Sequence, residues 1–152
     1  MKYLHTMIRT SNLEKSIDFY CDKLGLIEIR RIVNESARFT LIFLCAPDDM
    51  IVKNETIKSP LIEITYNWPD ENGKKEKLGE GRNFGHLAFS VDNIYNFCER
   101  LLKKGVILNR PPRDGYMAFI RSPDNISIEI LQKNSPLEIS EPWVSMQNTG
   151  NW

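Results

Sequence analysis

The segment FGHLAFSVDN, residues 84–93, combines a short strand-like run with the start of a helix, and LHTMIRTSNL, residues 4–13, has the same arrangement. In both places three further strand-like runs follow the helix. The chain therefore contains a βαβββ unit twice, and each copy is about 50 to 65 residues long. Two such units predict an α+β fold of paired βαβββ modules, in which two similar sheets face a shared cleft.

The first unit is predicted to begin with a strand over residues 2–10 and a helix that starts at Ser11. Ser11 and Glu14 have the spacing of a capping box, and Gly25 is the expected stop signal. Apolar residues recur at helical spacing along one face of this helix, at Leu13, Ile17, Tyr20 and Leu24. The three strands predicted after it cover residues 26–33, 38–46 and 60–67.

The second unit repeats this order. A strand over residues 84–91 precedes a helix that Asp92 is predicted to cap and Gly105 to end. The tetrapeptide SPDN, residues 122–125, is predicted to form a turn between the last two strands. The three strands predicted after the helix cover residues 106–110, 116–121 and 126–131.

We expect one domain over residues 1–132, because a chain of 152 residues has the usual length of one domain. It would consist of repeats 1–67 and 84–132, joined by a polar, glycine-containing linker over 68–83. The C-terminal tail, 133–152, has no clear period. Its two tryptophans indicate that it packs against protein, because an unattached tail rarely carries such large aromatic side chains.

Composition restricts the class of protein. Lys plus Arg and Asp plus Glu each number 20, so the formal net charge is zero. That argues against a nucleic-acid partner bound mainly by the electrostatic field of the whole protein. We expect no membrane partner, because no apolar run approaches the roughly 18 residues of a membrane helix. His5 and Arg9 interrupt any signal-peptide layout. Three cysteines outside any CxxC motif, Cys21, Cys45 and Cys98, indicate reduced thiols and a cytoplasmic location.

Four potential metal ligands occupy equivalent positions in the two repeats. His5 and His86 lie on the first strands, and Glu63 and Glu129 lie on the last strands. Side chains alternate between the faces of a strand, and around His86, Glu63 and Glu129 the candidate faces away from the apolar side. The contrast is weaker around His5. Each residue alone is better explained as an ordinary strand residue, but two imidazoles and two carboxylates at matching positions suit a divalent first-row metal ion.

Three polar residues each stand four positions from one of these candidates, namely Arg9, Asn67 and Arg82. Four strand residues span about 13 Å. These side chains are therefore placed to bind the far end of a substrate whose reacting end lies at the metal. Arginine binds carboxylates through two parallel hydrogen bonds, which favours an acidic substrate end. Taken singly, Arg9 and Arg82 are better explained as solvated charges at strand ends.

Four segments carry a family resemblance: LHTMIRTSNLEKSIDFYCDKLGL (4–26), PLIEITYNW (60–68), FGHLAFSVDN (84–93) and SPDNISIEIL (122–131). Together they resemble glyoxalase I, the lactoylglutathione lyase family of the vicinal oxygen chelate superfamily. The resemblance implies a glyoxalase/bleomycin resistance/extradiol dioxygenase-like fold and a homodimer with metal sites at the subunit interface. The ligands that it implies for one divalent metal per subunit are His5, Glu63, His86 and Glu129.

By this resemblance the substrate is the hemithioacetal of methylglyoxal and glutathione, and the product is S-D-lactoylglutathione, which detoxifies methylglyoxal. The reaction is expected to pass through an enediolate that a metal stabilises by coordinating the substrate oxygens. Glu129 is implied as the base that moves the proton, and Glu63 as the residue with access to the opposite face of the substrate. Arg9, Asn67 and Arg82 are implied to hold the γ-glutamyl end of glutathione.

The sequence departs from the family in the loop before the seventh strand. Many members carry a Gly-Lys there, whose lysine binds the glycine carboxylate of glutathione, whereas DGYM, residues 114–117, contains no lysine. Arg110 and Arg113 are predicted to bind the substrate in its place. Histidine at the first ligand position favours nickel or cobalt, with zinc as the alternative. The 23 residues from Glu63 to His86 fall between the lengths typical of the two metal classes.

Two other functions stay open at this point. A different metal enzyme of the superfamily, an epimerase or a dioxygenase, would need two histidines and one carboxylate and would leave Glu63 spare. The PLIEITYNW motif, with Asn67 behind Glu63, argues against it. A metal-free binding protein of the same fold, of the antibiotic-sequestering kind, would need none of the four ligands.

Overall fold

The computed structural model describes residues 5–53, 56–57, 60–79, 84 and 86–150. The chain divides into two compact units, Met1–Gly79 and Glu80–Trp152. The division falls inside the predicted linker, 68–83. The single domain expected over residues 1–132 stays a prediction.

The first unit is built on a four-stranded sheet. Its elements in chain order are β1 (His5–Arg9), α1 (Leu13–Ile17) with a π-helix over Asp18–Lys23, β2 (Ile27–Asn34), β3 (Phe39–Cys45), a 3₁₀ turn over Pro47–Asp49, β4 (Val52–Lys53), β5 (Thr56–Ile57) and β6 (Leu61–Asn67). β1 pairs in parallel with β6, and β3 pairs antiparallel with both β6 and β2. The predicted strands agree with this sheet to within one or two residues, except at the N-terminus, where residues 2–4 lie outside the described ranges. The short β4–β5 hairpin was not predicted.

The second unit repeats the β1–β6–β3 part of that sheet. Its elements are β7 (Leu87–Val91), α2 (Ile94–Lys103), β8 (Met117–Arg121) and β9 (Ser127–Gln132). β7 pairs in parallel with β9, and β8 pairs antiparallel with β9. In the described part of the chain no helix is long and apolar enough to span a membrane.

The strand predicted over residues 106–110 is wrong. A single β-bridge joins Arg110 to Phe119. The backbone N–H groups of Asn109 and Arg110 both donate to the Phe119 carbonyl, at 2.8 and 3.1 Å, so two residues oppose one. Pro111 and Pro112 follow at once and have no N–H to continue a ladder, so the pairing ends there.

Both predicted helix caps are displaced by one residue. The caps are Asn12 instead of Ser11 and Asn93 instead of Asp92. The Asn12 side-chain oxygen accepts a hydrogen bond from the backbone N–H three residues ahead at 3.0 Å, and that of Asn93 does so at 2.9 Å. Asparagine caps a helix as well as serine or aspartate. Each asparagine directly precedes the first apolar residue of its helix, which fixes the position of the cap.

Burial in the first unit sets the orientation of β6. Ile42 and Leu44 of β3 and Ile64 of β6 are fully buried. Because side chains alternate along a strand, Glu63 and Thr65 lie on the opposite face from Ile64, and both are partly exposed. Glu63 therefore stands on the face of the sheet opposite the fully buried Ile42, Leu44 and Ile64.

The apolar face of α2 packs against β8 and β9. Ile94, Cys98 and Leu101 are fully buried, and burial raises the pKa of the Cys98 thiol to about 12. Gln132 at the end of β9 connects the start of α2 to the sheet through hydrogen bonds. Its side-chain carbonyl accepts from the Ile94 N–H at 2.9 Å, and its amide donates to the Asp92 carbonyl at 2.9 Å.

The C-terminal tail packs on the second unit, as its tryptophans predict. Trp143 is only 6% exposed and stacks on Tyr95 of α2, with the ring centroids 5.5 Å apart and 5° between the planes. The Leu137 N–H donates to the Gly115 carbonyl at 3.0 Å. A Cβ at Gly115 would lie 2.2 Å from the Leu137 carbonyl oxygen, so only glycine fits there. Trp152 lies outside the described residues.

Candidate metal centre

The first unit brings His5 and Glu63 together on the face of its sheet opposite Ile64. Met7 of β1 stands opposite Glu63 of β6, and His5 lies two residues before Met7 on the same face. His5 Nε2 is 3.1 Å from Glu63 Oε2. The imidazole is 39% exposed and the carboxylate 14%, so the pair is held by the sheet but stays open to solvent on the histidine side.

The second unit forms the same pair with His86 and Glu129. Ala88 of β7 stands opposite Glu129 of β9, and His86 lies two residues before Ala88. His86 Nε2 is 3.1 Å from Glu129 Oε2, with exposures of 43% and 16%. The four candidate ligands are therefore brought together as two pairs with the same strand register, spacing and burial.

A phenylalanine accompanies each pair, and the sequence analysis missed both. Phe43 of β3 stands opposite Glu63, and Phe119 of β8 stands opposite Glu129. Each ring meets its histidine edge to face, with centroids 6.0 Å apart for His5–Phe43 and 5.6 Å for His86–Phe119. Both phenylalanines are buried. The repeat contained the signal, since both occupy the strand that pairs with the glutamate strand.

The donor chemistry of each pair fits a divalent first-row ion. Imidazole nitrogen and carboxylate oxygen are ligands that such an ion takes from proteins. Two donors that share one ion, each about 2.1 Å from it, are about 3.0 to 3.4 Å apart for the donor angles of octahedral and tetrahedral sites. That agrees with the 3.1 Å in both pairs, a spacing that also allows Nε2–H to donate a hydrogen bond to the carboxylate. Within the described ranges no group of three or more His, Cys, Asp or Glu side chains that could hold a metal ion is found, and each pair brings together two candidate ligands.

Arg9 and Asn67 converge on the carboxylate of Glu76. The Asn67 Nδ2 donates to Glu76 Oε2 at 2.7 Å, and Arg9 Nε lies 3.8 Å from Glu76 Oε1. Arg9 ends β1 on the face that carries His5, and Asn67 ends β6 on the face that carries Glu63. The two residues predicted to bind a substrate carboxylate thus hold one in the structure. The third, Arg82, lies outside the described residues.

Arg110 and Arg113 bind within their own unit. The Arg110 guanidinium donates to Asp114 Oδ2 at 2.7 Å and to the Met117 carbonyl, and Arg113 Nη1 donates to the Met146 carbonyl at 3.1 Å. These contacts fix the loop before β8 and attach the tail to it. The predicted contact of both arginines with the substrate stays a prediction.

Asp114→Asn is expected to lower the free energy of unfolding by about 1 kcal/mol at pH 7, after allowance for solvent screening of this partly exposed pair. Burial raises the pKa of Asp114, but the hydrogen bonds from Arg110 and from the Met117 and Tyr116 N–H groups outweigh it and lower the pKa to about 2. A lowered pKa contributes stability above the unfolded value of 3.8, and that stability is lost as the pH falls through about 2.

Urea unfolding at pH 7 and pH 2.5 measures this effect. The difference between wild type and Asp114→Asn should shrink at the lower pH, while Asp48→Asn, at an exposed position in the other unit, should change little at either. An equal loss at both pH values would show that the Asp114 charge is not the cause.

The chain matches the family model described as the Glyoxalase/Bleomycin resistance protein/Dioxygenase superfamily over residues 2–130. Among solved structures it is similar to the glyoxalase I of Leishmania major, described as trypanothione-dependent. The TM-score is 0.70 and the identity 28%, and the alignment covers 87% of this chain and 86% of that one. The predicted α+β fold of paired βαβββ modules is confirmed.

Curated relatives narrow the assignment. A lactoylglutathione lyase of Neisseria meningitidis serogroup A is 38% identical over 140 residues, which cover 89% of this chain and 93% of the relative. A probable lactoylglutathione lyase of Synechocystis is 37% identical, with coverage of 89% and 98%. The chain therefore belongs to the glyoxalase superfamily and, within it, to the lactoylglutathione lyase family.

Proposed function

We propose that this protein is a metal-dependent glyoxalase I. It converts the hemithioacetal of methylglyoxal and glutathione to S-D-lactoylglutathione and so detoxifies methylglyoxal. The observation that carries the proposal is the His–Glu pair, formed twice with the same register and the same 3.1 Å spacing. Relatives named lactoylglutathione lyase at 37% and 38% identity support it.

The metal would be held by His5, Glu63, His86 and Glu129, with one divalent ion per subunit. Nickel or cobalt is favoured by histidine at the first position, with zinc as the alternative. When bound, the ion would polarise the substrate oxygens and so acidify the C–H bond beside the carbonyl. The partly exposed imidazoles leave room for substrate beside them, since His5 and His86 are 39% and 43% exposed.

Proton transfer is assigned to the glutamates. The Glu129 carboxylate removes the proton from the carbon next to the carbonyl and returns it to the neighbouring carbon. Glu63 has the equivalent place in the other unit and would approach the substrate from the opposite face. Both carboxylates are mostly shielded, at 16% and 14% exposure, which limits exchange of the transferred proton with bulk water.

The protein is further proposed to be a cytoplasmic homodimer whose metal sites lie at the subunit interface. Each described unit brings together two of the four candidate ligands, so a site with all four would need one pair of each kind. A twofold axis would then generate two equivalent sites. Support for the cytoplasm comes from three free cysteines, Cys21, Cys45 and Cys98.

The assay for this function is thioester formation, followed at 240 nm with methylglyoxal and glutathione. The apoprotein, prepared with a chelator, is loaded in turn with nickel, cobalt or zinc. Turnover is expected with at least one metal and none without it. Absence of thioester under every metal would overturn the proposal, and metal-free protein after purification without chelators would favour a binding protein instead.

Arg9→Ala and Asn67→Ala are each expected to raise KM by about ten- to a hundredfold and to lower kcat far less. Both residues would hold the γ-glutamyl end of glutathione, with Arg82, through contacts shared by the ground and transition states, and a hydrogen bond to a charged group contributes about 1.5–3 kcal/mol. Steady-state kinetics with the loaded metal gives both constants. Asn72→Ala, at an exposed position, is the control. A fall in kcat at constant KM would assign the pair to the chemical step.

A further inference from the structure

In the segment that follows β6, the carboxylate of Glu76 contacts both Arg9 and Asn67. The two oxygens of Glu76 are contacted separately, one by Asn67 Nδ2 at 2.7 Å and the other by Arg9 Nε at 3.8 Å. Arg9 and Asn67 end the neighbouring parallel strands β1 and β6, so the sheet places both residues at the same end of the strand pair. The Glu76 carboxylate thus makes a hydrogen bond with Asn67 and an ion pair with Arg9 at the same time.

We propose that Glu76 is an internal competitor for the substrate carboxylate, and therefore a specificity-determining residue of the binding site. Its carboxylate must leave Arg9 and Asn67 before a γ-glutamyl carboxylate binds them. This inference rests on the proposed function, because that function makes Arg9 and Asn67 a substrate site. Only ligands that bind the pair better than Glu76 does are then accepted.

The structure permits this exchange without unfolding the segment. A turn closes on itself ahead of Glu76: Asp70 Oδ1 accepts from the Asn72 and Lys74 N–H groups at 2.9 Å, and the Asp70 N–H donates to the Lys74 carbonyl at 2.9 Å. Glu76 lies two residues beyond this turn. The Glu76 side chain can therefore leave Arg9 and Asn67 while the hydrogen bonds of the turn persist.

The contact is also weak enough to be displaced. The Arg9 and Glu76 side chains are 49% and 40% exposed, so solvent screens their attraction. When an internal group occupies a site for part of the time, the apparent Kd of the ligand is its intrinsic Kd divided by the fraction of time that the site is free. Removing the competitor should therefore tighten binding by a modest factor.

A second role for Glu76 predicts the opposite sign. The γ-glutamyl end of glutathione carries an ammonium beside its carboxylate, and Glu76 in that role would bind the ammonium while the carboxylate binds Arg9 and Asn67. Loss of the Glu76 charge would then weaken glutathione binding. The direction of the change decides between the two roles.

The test is Glu76→Gln, with Glu71→Gln as the control that removes one negative charge from an exposed position of the same segment. Calorimetry gives the Kd of glutathione without methylglyoxal, and kinetics gives KM for the hemithioacetal. Glu76→Gln is expected to lower both by about three- to tenfold, and Glu71→Gln by less than twofold. Glutathione with an amidated γ-glutamyl α-carboxylate should lose the sensitivity to Glu76→Gln.

The outcomes separate this inference from the proposed function. If the wild type turns over as a lyase and Glu76→Gln leaves the Kd of glutathione unchanged or raises it, the competitor role is overturned and the proposed function stays intact. Tighter glutathione binding by Glu76→Gln in a protein without lyase turnover supports the competitor and overturns the function. If glutathione binds neither the wild type nor Glu76→Gln, the competitor role is overturned, because Arg9 and Asn67 would then not form a carboxylate site.

Discussion

Glu129→Gln is expected to lower kcat by at least about a hundredfold, because a carboxamide cannot accept the proton that the proposed reaction transfers. The side chain keeps its size and an oxygen that can still approach a metal, so the loss should lie in kcat with little change in KM. Stopped assays at 240 nm at saturating hemithioacetal measure it. Metal content of the same sample, determined in parallel, shows whether the site is still loaded.

Two comparisons complete this experiment. Glu99→Gln, on the exposed side of α2, should keep the wild-type rate. Glu63→Gln should lose less activity than Glu129→Gln if Glu129 is the main base, and a larger loss would exchange the two roles. A Glu129→Gln enzyme that is fully loaded with metal and turns over near the wild-type rate would show that Glu129 is not the base.

The two His–Glu pairs could be predicted from the sequence because two independent rules place their residues. The repeat gives equivalent positions for His5 and His86 and for Glu63 and Glu129, and the alternation of side chains in a strand gives the face. Parallel pairing of the first and last strands then brings each histidine to its glutamate, as seen in β1–β6 and β7–β9. Local sequence therefore contains enough information to find each pair.

Other features depend on contacts between segments far apart in the chain. Phe43 and Phe119 look like ordinary core residues until the register of β3 and β8 places them opposite the glutamates. Glu76 is one of several charged residues in a polar stretch, and only the path of the segment after β6 takes it to Asn67. The segment 106–110 has the composition of a strand, but the two prolines after it end the pairing.

Mixing two inactive variants should restore about a quarter of the wild-type activity. One variant carries His5→Ala and Glu63→Ala, and the other carries His86→Ala and Glu129→Ala. If each site takes one pair from each subunit, each homodimer is inactive, because every site lacks half of its ligands. In a mixed dimer one site has all four substitutions and the other has none. Statistical pairing makes half of the dimers mixed, each with one intact site of two.

The recovery of activity on mixing is the measurement that most directly tests whether the two His–Glu pairs form one metal site between subunits. Wild-type protein taken through the same unfolding and refolding sets the reference, and circular dichroism and molar mass verify that both variants refold as dimers. Activity near a quarter of the reference, with about one metal ion per mixed dimer, is the predicted result. No recovery from correctly folded mixed dimers would contradict the account, since the ligands would then come from a single chain.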